Sequence, residues 1–266
     1  IQAPHFRAIS SRAFHILLDE TKVNSKIVRS VVDREYDRID WKDPEINQDP
    51  DFLQKFVRQL GKQCKEAAKS DGSQQGTKLR SFINTIVDGF ATSPEGIDQL
   101  RKRSVMVQAA ILSVDLPSEV DAAVRSAYNA ICKENGEDFI PVAVRSSAAG
   151  EDSRKKAFAG LQDTYLNMVG EDNVAEAYHW DCSSAYNLRS MTYRREAILD
   201  ALARAEETGD DEIGINAKKE WAIENTSLSV CMMQMINPVI SGTAFSADTA
   251  TGCRGTDRKD LVSIDA

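Results

Sequence analysis

The sequence predicts an α/β or α+β protein in two parts: residues 1–137 mainly helical, and residues 138–266 carrying a sheet. Two observations carry this. In the first part apolar residues recur at helical spacing, whereas from Phe139 onward short runs rich in Val, Ile and Leu alternate with amphipathic stretches. The chain is also large enough. Its 266 residues, 42% of them hydrophobic, can bury a substantial core as one large domain or two modest lobes.

The elements follow in order. Ser10 or Ser11 can cap a helix through Leu18, and a second helix runs from about Ser25 to Arg38. Asp51 can cap a third, with Phe52, Phe56, Val57 and Leu60 at helical spacing. Residues 70–76, rich in Ser, Gly and Gln, read as a connection. Leu79, Phe82, Ile83, Ile86 and Val87 then share one helical face, and Ser93-Pro94-Glu95 is a helix start. The Arg101-Lys102-Arg103 cluster reads as a solvated helix end. Ser118 with Asp121 opens a helix that turns Val120, Val124, Ala127, Tyr128 and Ile131 inward until Asn135-Gly136 stops it. Strands are expected at 139–145, 164–168, 228–236, 240–246 and 261–264. Two amphipathic helices, 171–188 and 190–207, interrupt them before Gly209-Asp210-Asp211-Glu212 breaks the second.

Composition narrows the function. A net charge of −8 argues against nucleic acid or an anionic membrane surface as the main partner. No apolar run approaches the roughly 20 residues of a membrane span, and Ile1 opens no signal peptide. Cys64, Cys132, Cys182, Cys231 and Cys253 are odd in number, widely spaced and never in a CxxC pair. Free thiols in a reducing, cytoplasmic compartment are the expectation, with poor support for a zinc site.

The most informative stretch is Val142-Ala143-Val144-Arg145-Ser146-Ser147-Ala148-Ala149-Gly150-Glu151-Asp152, followed by Phe158-Ala159-Gly160-Leu161-Gln162-Asp163-Thr164-Tyr165-Leu166-Asn167. An apolar strand delivers one guanidinium and two hydroxyls to its end, and a small-residue loop leads into a second strand. That suits a polyphosphate, because a planar, permanent cation can fork two phosphate oxygens while hydroxyl and backbone donors complete the grip. Equally, Arg145 could pair with a carboxylate of its own chain. Glu151 and Asp152 read as solvating the loop.

These two motifs resemble the nucleotide-binding domain of the phosphoenolpyruvate synthase and pyruvate phosphate dikinase family, with its VAVRSSA strand and FAGQQDTYLN-like segment. Two further matches follow in order. Residues 189–194, RSMTYR, resemble the family's RAISYR, and 241–252, SGTAFSADTATG, its SGVMFTxDPxTG. Residues 1–14 resemble VPVPPGFVVTTEAY, with Phe6 and Arg7 where Gly and Phe are usual. The resemblance covers 139–266 well and the first half poorly. Relative to it, 206–224 looks like an insertion, and Cys182 stands where many members have tryptophan.

The resemblance implies an ATP-grasp-like fold with nucleotide between two sheet-bearing lobes, ATP and Mg²⁺ as cofactors, and phosphoryl transfer. The β-phosphate of ATP would pass to a histidine on a separate swivelling domain, releasing AMP, and from there to pyruvate on an acceptor-binding domain. A phenol or a rifamycin-type antibiotic is an alternative acceptor, and a degenerate nucleotide-binding subunit is the non-enzymatic alternative. Arg145 is the implied catalytic residue, and Ser146, Ser147, Gly160, Gln162 and Thr164 would meet the phosphates. Met232, Met233, Gln234, Met235 and Ile236 resemble the VQRMV linker beside adenine, with Met233 where the family has glutamine and Gln234 at the next position, facing the other side of a strand. Alternatively these methionines fill a core strand. Arg189 and Arg194 could add positive charge or pair with Glu196 or other local acids, and Asp248 reads as a turn cap. His5, His15 and His179 lie in no context resembling the phosphorylated histidine, and the family's amino-terminal lysine and later Gln-Thr-Arg segment have no counterpart, so the chain is expected to be a fragment.

Overall fold

A computed structural model describes residues 4–49, 51–72, 76–93, 96–148, 161, 163–223, 226–238, 240, 243–245 and 263–265. Contacts divide the chain into two units, Ile1–Gln234 and Met235–Ala266. The first carries β1 (Phe6–Ile9), α1 (Ser11–Glu20), β2 (Lys22–Val23), α2 (Ser25–Tyr36), α3 (Pro44–Gln48), α4 (Phe52–Asp71), β3 (Thr77–Lys78), α5 (Leu79–Val87), α6 (Ile97–Leu112) and α7 (Ser118–Asn135). It continues through β4 (Val142–Ala148), β5 (Thr164–Met168), α8 (Glu171–Ser184), α9 (Leu188–Thr208), α10 (Asp211–Glu220) and β6 (Leu228–Gln234). In the second unit β7 (Thr243–Phe245) pairs antiparallel with β8 (Ser263–Asp265). Of the two expected classes the structure is α+β, with antiparallel pairing throughout and helices predominating among the described residues.

The first unit's main sheet has the order β1-β6-β4-β5, every pairing antiparallel. Helices α1, α7 and α8 contact this sheet and, with it, enclose one core that includes Phe14, Val124, Val142, Val144, Tyr178, Val230 and Met232. Behind them α6 is buried all round over 104–111, against α2, α4, α5, α8 and α9, while its first half carries Asp98, Gln99, Arg101, Lys102 and Arg103. Its two buried polar groups are satisfied: Ser104 Oγ donates to the Tyr186 carbonyl at 2.8 Å, and Gln108 Nε2 donates to Ser104 Oγ at 3.0 Å. Gly61 lets α4 approach α6 closely, since a Cβ there would lie 2.5 Å from Leu112 Cβ.

Tyr128 ties helix to sheet. Its buried hydroxyl accepts from the Ile140 and Gly170 amides at 3.2 and 2.9 Å and donates to the Ile140 carbonyl at 3.1 Å, fixing the entries to β4 and α8.

Several boundaries differ from the sequence expectation. Ser10 occupies the cap position of α1 without a side-chain bond, whereas Asn24 caps α2 by accepting from the Ile27 amide. Asp51 has helical backbone angles and makes no cap bond. Ser118 is the first helical residue of α7 behind Pro117, and α6 begins after Gly96, with Pro94 and Glu95 outside the described residues. Strand β4 lies three residues later than expected because Pro141 lacks an amide donor and Phe139 is exposed. Within the 206–224 stretch α9 runs to Thr208, and Asp211–Glu220 form α10, capped by Asp210 and packed on α9. The basic cluster is not a solvated end. Arg101 pairs with Asp98 and lies over Trp41, Lys102 reaches both Asp33 and Asp37 at 3.1 Å, and Arg103 donates to the Ile86 and Asp88 carbonyls.

Four cysteines are free: Cys64, Cys132 and Cys182 buried, Cys231 half-buried. Cys253 lies outside the described residues. Burial pushes the Cys64 thiol up to about 12. Among the described residues no helix is long and apolar enough to cross a membrane.

Candidate functional site

Alternation along the strands sorts the sequence motifs onto two faces. Leu228, Val230 and Met232 of β6 point into the core with Val142, Val144 and Ser146 of β4. The outer face carries Ser229, Cys231 and Met233 of β6, Arg145 and Ser147 of β4, Thr164 and Leu166 of β5, and Phe6 and Ala8 of β1, all exposed or half-buried. Across the sheet Arg145 stands in register with Cys231 on one side and Thr164 on the other, and Ser147 stands opposite Ser229. The outer face therefore presents one guanidinium among three hydroxyl side chains.

Ser146 parts company with its neighbours. It is 8% exposed and turned inward, toward Asp181 of α8, so only its backbone could serve a ligand on the outer face. Gln234 also departs from Met233. Its Oε1 accepts from the His5 amide at 3.4 Å and its own amide donates to the His5 carbonyl at 2.9 Å, which ties the end of β6 to the edge strand. Met235, half-buried, and Ile236, exposed, belong to the second unit. Gly160 and Gln162, with Glu151, Asp152 and Asp248, lie outside the described residues. Strand β5 carries one extra residue against β4 between the Val142/Met168 and Val144/Tyr165 pairs, and Asn167 absorbs it with φ 57°.

Beneath Arg145 lie two buried carboxyls. Asp163 Oδ1 accepts from Arg189 at 2.8 Å, its Oδ2 accepts from the Tyr165 hydroxyl at 3.4 Å, and its amide donates to Ser184 Oγ at 3.4 Å. Ser184 also lies 3.4 Å from Asp181 Oδ1, whereas Asp181 Oδ2 has no hydrogen-bond partner among the described residues. Burial raises the Asp163 carboxyl despite Arg189. Burial, then the charge of Asp163, pushes Asp181 well above the carboxylate range, opposed by Ser184, Ser146 and Arg145. Both carboxyls are raised, and Asp181 is raised further than Asp163. Sequence reasoning missed Asp181. The available signal was an acid on the apolar stripe Val174, Ala177, Tyr178, Asp181, Ala185.

Arg189 pairs with Asp163 rather than Glu196, and with Asn187 and Trp41 it lines a cleft of about 530 Å³. Arg194 is buried in α9. The three histidines have structural partners: His5 pairs with Glu134, His15 meets Arg80, and His179 Nε2 meets the Ile111 carbonyl. Among the described residues no group of three or more His, Cys, Asp or Glu is placed to hold a metal.

An α+β domain with a cationic, hydroxyl-lined sheet face suits a phosphate-bearing ligand. The chain belongs to the family described as "Pyruvate phosphate dikinase, AMP/ATP-binding domain", whose profile matches residues 1–266. Among its relatives, the probable phosphoenolpyruvate synthase of Methanocaldococcus jannaschii is 34% identical over 144 residues, 50% of this chain and 12% of that protein. The phosphoenolpyruvate synthase of Pyrococcus furiosus is 28% identical over 176 residues, 66% of this chain and 19% of that protein. That of Neisseria meningitidis is 40% identical over 100 residues, covering 38% and 13%. The chain thus matches less than a fifth of the length of each.

Proposed function

We propose that this domain seats Mg·ATP on the outer face of the β1-β6-β4-β5 sheet and presents its β-phosphorus to a histidine of another domain in the cytoplasm. Attack there breaks the bond between the α- and β-phosphates and releases AMP, and water then removes the γ-phosphate of the resulting pyrophosphohistidine as orthophosphate, leaving a phosphohistidine. The phosphohistidine then phosphorylates pyruvate, an acceptor supported by the name its relatives carry, phosphoenolpyruvate synthase. The single observation that carries the reading is Arg145. It is an exposed guanidinium at the centre of a phosphate-competent face, in a motif and a family that both point to nucleotide.

Arg145 neutralises charge on the phosphates as AMP departs, and the Ser147 and Thr164 hydroxyls donate beside it. Mg²⁺, held by the nucleotide's own phosphate oxygens, would supply charge neutralisation there and lessen repulsion of the attacking nitrogen. Met233 borders the base end. Asp181 and Ser146 act from below, holding the strand that carries Arg145.

The test is Arg145→Ala in the protein that joins this domain to its phosphohistidine domain, scored by AMP release and by mass spectrometry of the histidine. Phosphoryl transfer should fall at least about 100-fold, about 3 kcal/mol of transition-state stabilisation, with far-UV circular dichroism unchanged. An unchanged rate removes Arg145 from the site.

A further inference from the structure

Phe6 is 59% exposed on the outer sheet face, in register with Met233. A large aromatic left in water on a strand costs hydrophobic free energy unless something covers it. The strand beneath is firmly held. Arg7, pointing to the opposite face, ion-pairs with Glu134 of α7 and donates from Nη1 to the Phe6 carbonyl at 2.8 Å, while His5 is bonded to Gln234 on both its amide and its carbonyl. These are the two positions, Phe6 and Arg7, at which the chain departs from its family's usual Gly and Phe. Together they make one device: Arg7 clamps the edge strand and Phe6 stands on it.

The outer face is graded along the strands. Phe6, Met233 and the buried Ala143 form an apolar row; Ala8, Cys231 and Arg145 form the next; Ser229 and Ser147 follow. With about 4.8 Å between strands and about 7 Å between same-face residues, the Phe6 and Arg145 Cα atoms are about 12 Å apart. That span suits a nucleotide with its base on the apolar row, its sugar over the small Ala8 and its phosphates at Arg145.

We propose that Phe6 is a base-stacking residue that this chain adds to the nucleotide face, with Met233 beside it as a polarizable wall. The proposal rests on the nucleotide reading above and names a specificity determinant within it. Stacking recognises the ring face, so Phe6 contributes to the affinity of any purine nucleotide and nothing to that of a bare polyphosphate.

The experiment is calorimetric titration of the chain with ATP, AMP and inorganic tripolyphosphate, for wild type, Phe6→Ala, Phe6→Trp and Arg145→Ala. Phe6→Ala should weaken ATP and AMP about tenfold and leave tripolyphosphate unchanged, Phe6→Trp should retain wild-type affinity, and Arg145→Ala should weaken tripolyphosphate. Equal ATP affinity in wild type and Phe6→Ala, with Arg145→Ala still impaired, overturns the stacking role alone. Wild type without affinity for ATP overturns the nucleotide reading and the stacking role together. A parallel loss of tripolyphosphate in Phe6→Ala overturns stacking in favour of a strand-positioning role.

Discussion

Replacing His179 by glutamine should remove a large part of the acid sensitivity of folding. Burial beside α6 lowers this imidazole to about 4 from an ordinary 6.5, with the Lys65 charge adding to the depression and the Ile111 carbonyl and Asp115 opposing it. Between those two values the unfolded chain binds a proton that the folded chain refuses. Stability therefore falls as the pH drops from 6.5 toward 4. For a 2.5-unit gap the loss reaches about 2 kcal/mol at pH 5 and about 3 kcal/mol at pH 4. The side-chain amide introduced by His179→Gln would keep a donor for the Ile111 carbonyl and would not titrate. Urea unfolding of both proteins, followed by circular dichroism at pH 7 and pH 5, isolates the effect, because Asp163, Asp181 and every other titrating group are common to the two. The stability difference should shift by about 2 kcal/mol toward the variant at pH 5. Stability curves that run parallel from pH 7 to pH 5 would refute the reasoning.

Gly61→Ala should destabilise the fold by about 2 kcal/mol, since its methyl would press on Leu112 Cβ at 2.5 Å and on the Leu112 carbonyl carbon at 3.2 Å, outweighing the helix propensity gained; a thermal melt unchanged or raised would contradict this. Asp181→Asn acts on pH in the opposite sense from His179. The folded state holds the Asp181 proton above the pH at which the unfolded chain releases it, so wild-type stability declines as pH rises from about 4 through the raised folded value, by up to about 1.4 kcal/mol per pH unit. Denaturant titrations at pH 5 and pH 8 should show a flatter profile for the variant and greater stability than wild type at pH 8, and an identical slope would exclude a buried titrating Asp181.

Local pattern made much of this architecture legible. The apolar spacings at Phe82, Ile83 and Ile86, or at Val120, Val124 and Ile131, coincide with the buried faces of α5 and α7, because burial of a stripe is what holds such helices. Gly136 and Gly209 end helices with φ 69° at each, where the left-handed turn suits glycine. Features set by residues distant in sequence were not legible. Lys102 looked solvated because Asp33 of α2 and Asp37 at its C-cap arrive from elsewhere in the chain, and Asp181 looked like another helix position because Asp163 and Ser146 meet it only in three dimensions. At the candidate site, Arg145 and Ser147 could be assigned to one face by alternation alone. The inward turn of Ser146 follows from the same rule, once β4 is known to pack on α8 by one face only.

The pairing of β1 with β6 has a kinetic consequence. His5 and Gln234, bonded through backbone and side chain, are 229 positions apart in sequence, so the edge strand closes a loop nearly as long as the unit itself. On a ribosome adding about 5–20 residues per second, the first strand waits more than ten seconds for its partner to emerge. The helices between them form from local contacts and can assemble during that interval, whereas the sheet face bearing Phe6, Met233 and Arg145 is completed last. The face on which nucleotide is proposed to bind therefore does not exist in the nascent chain, and a ligand for it can act only on the finished unit.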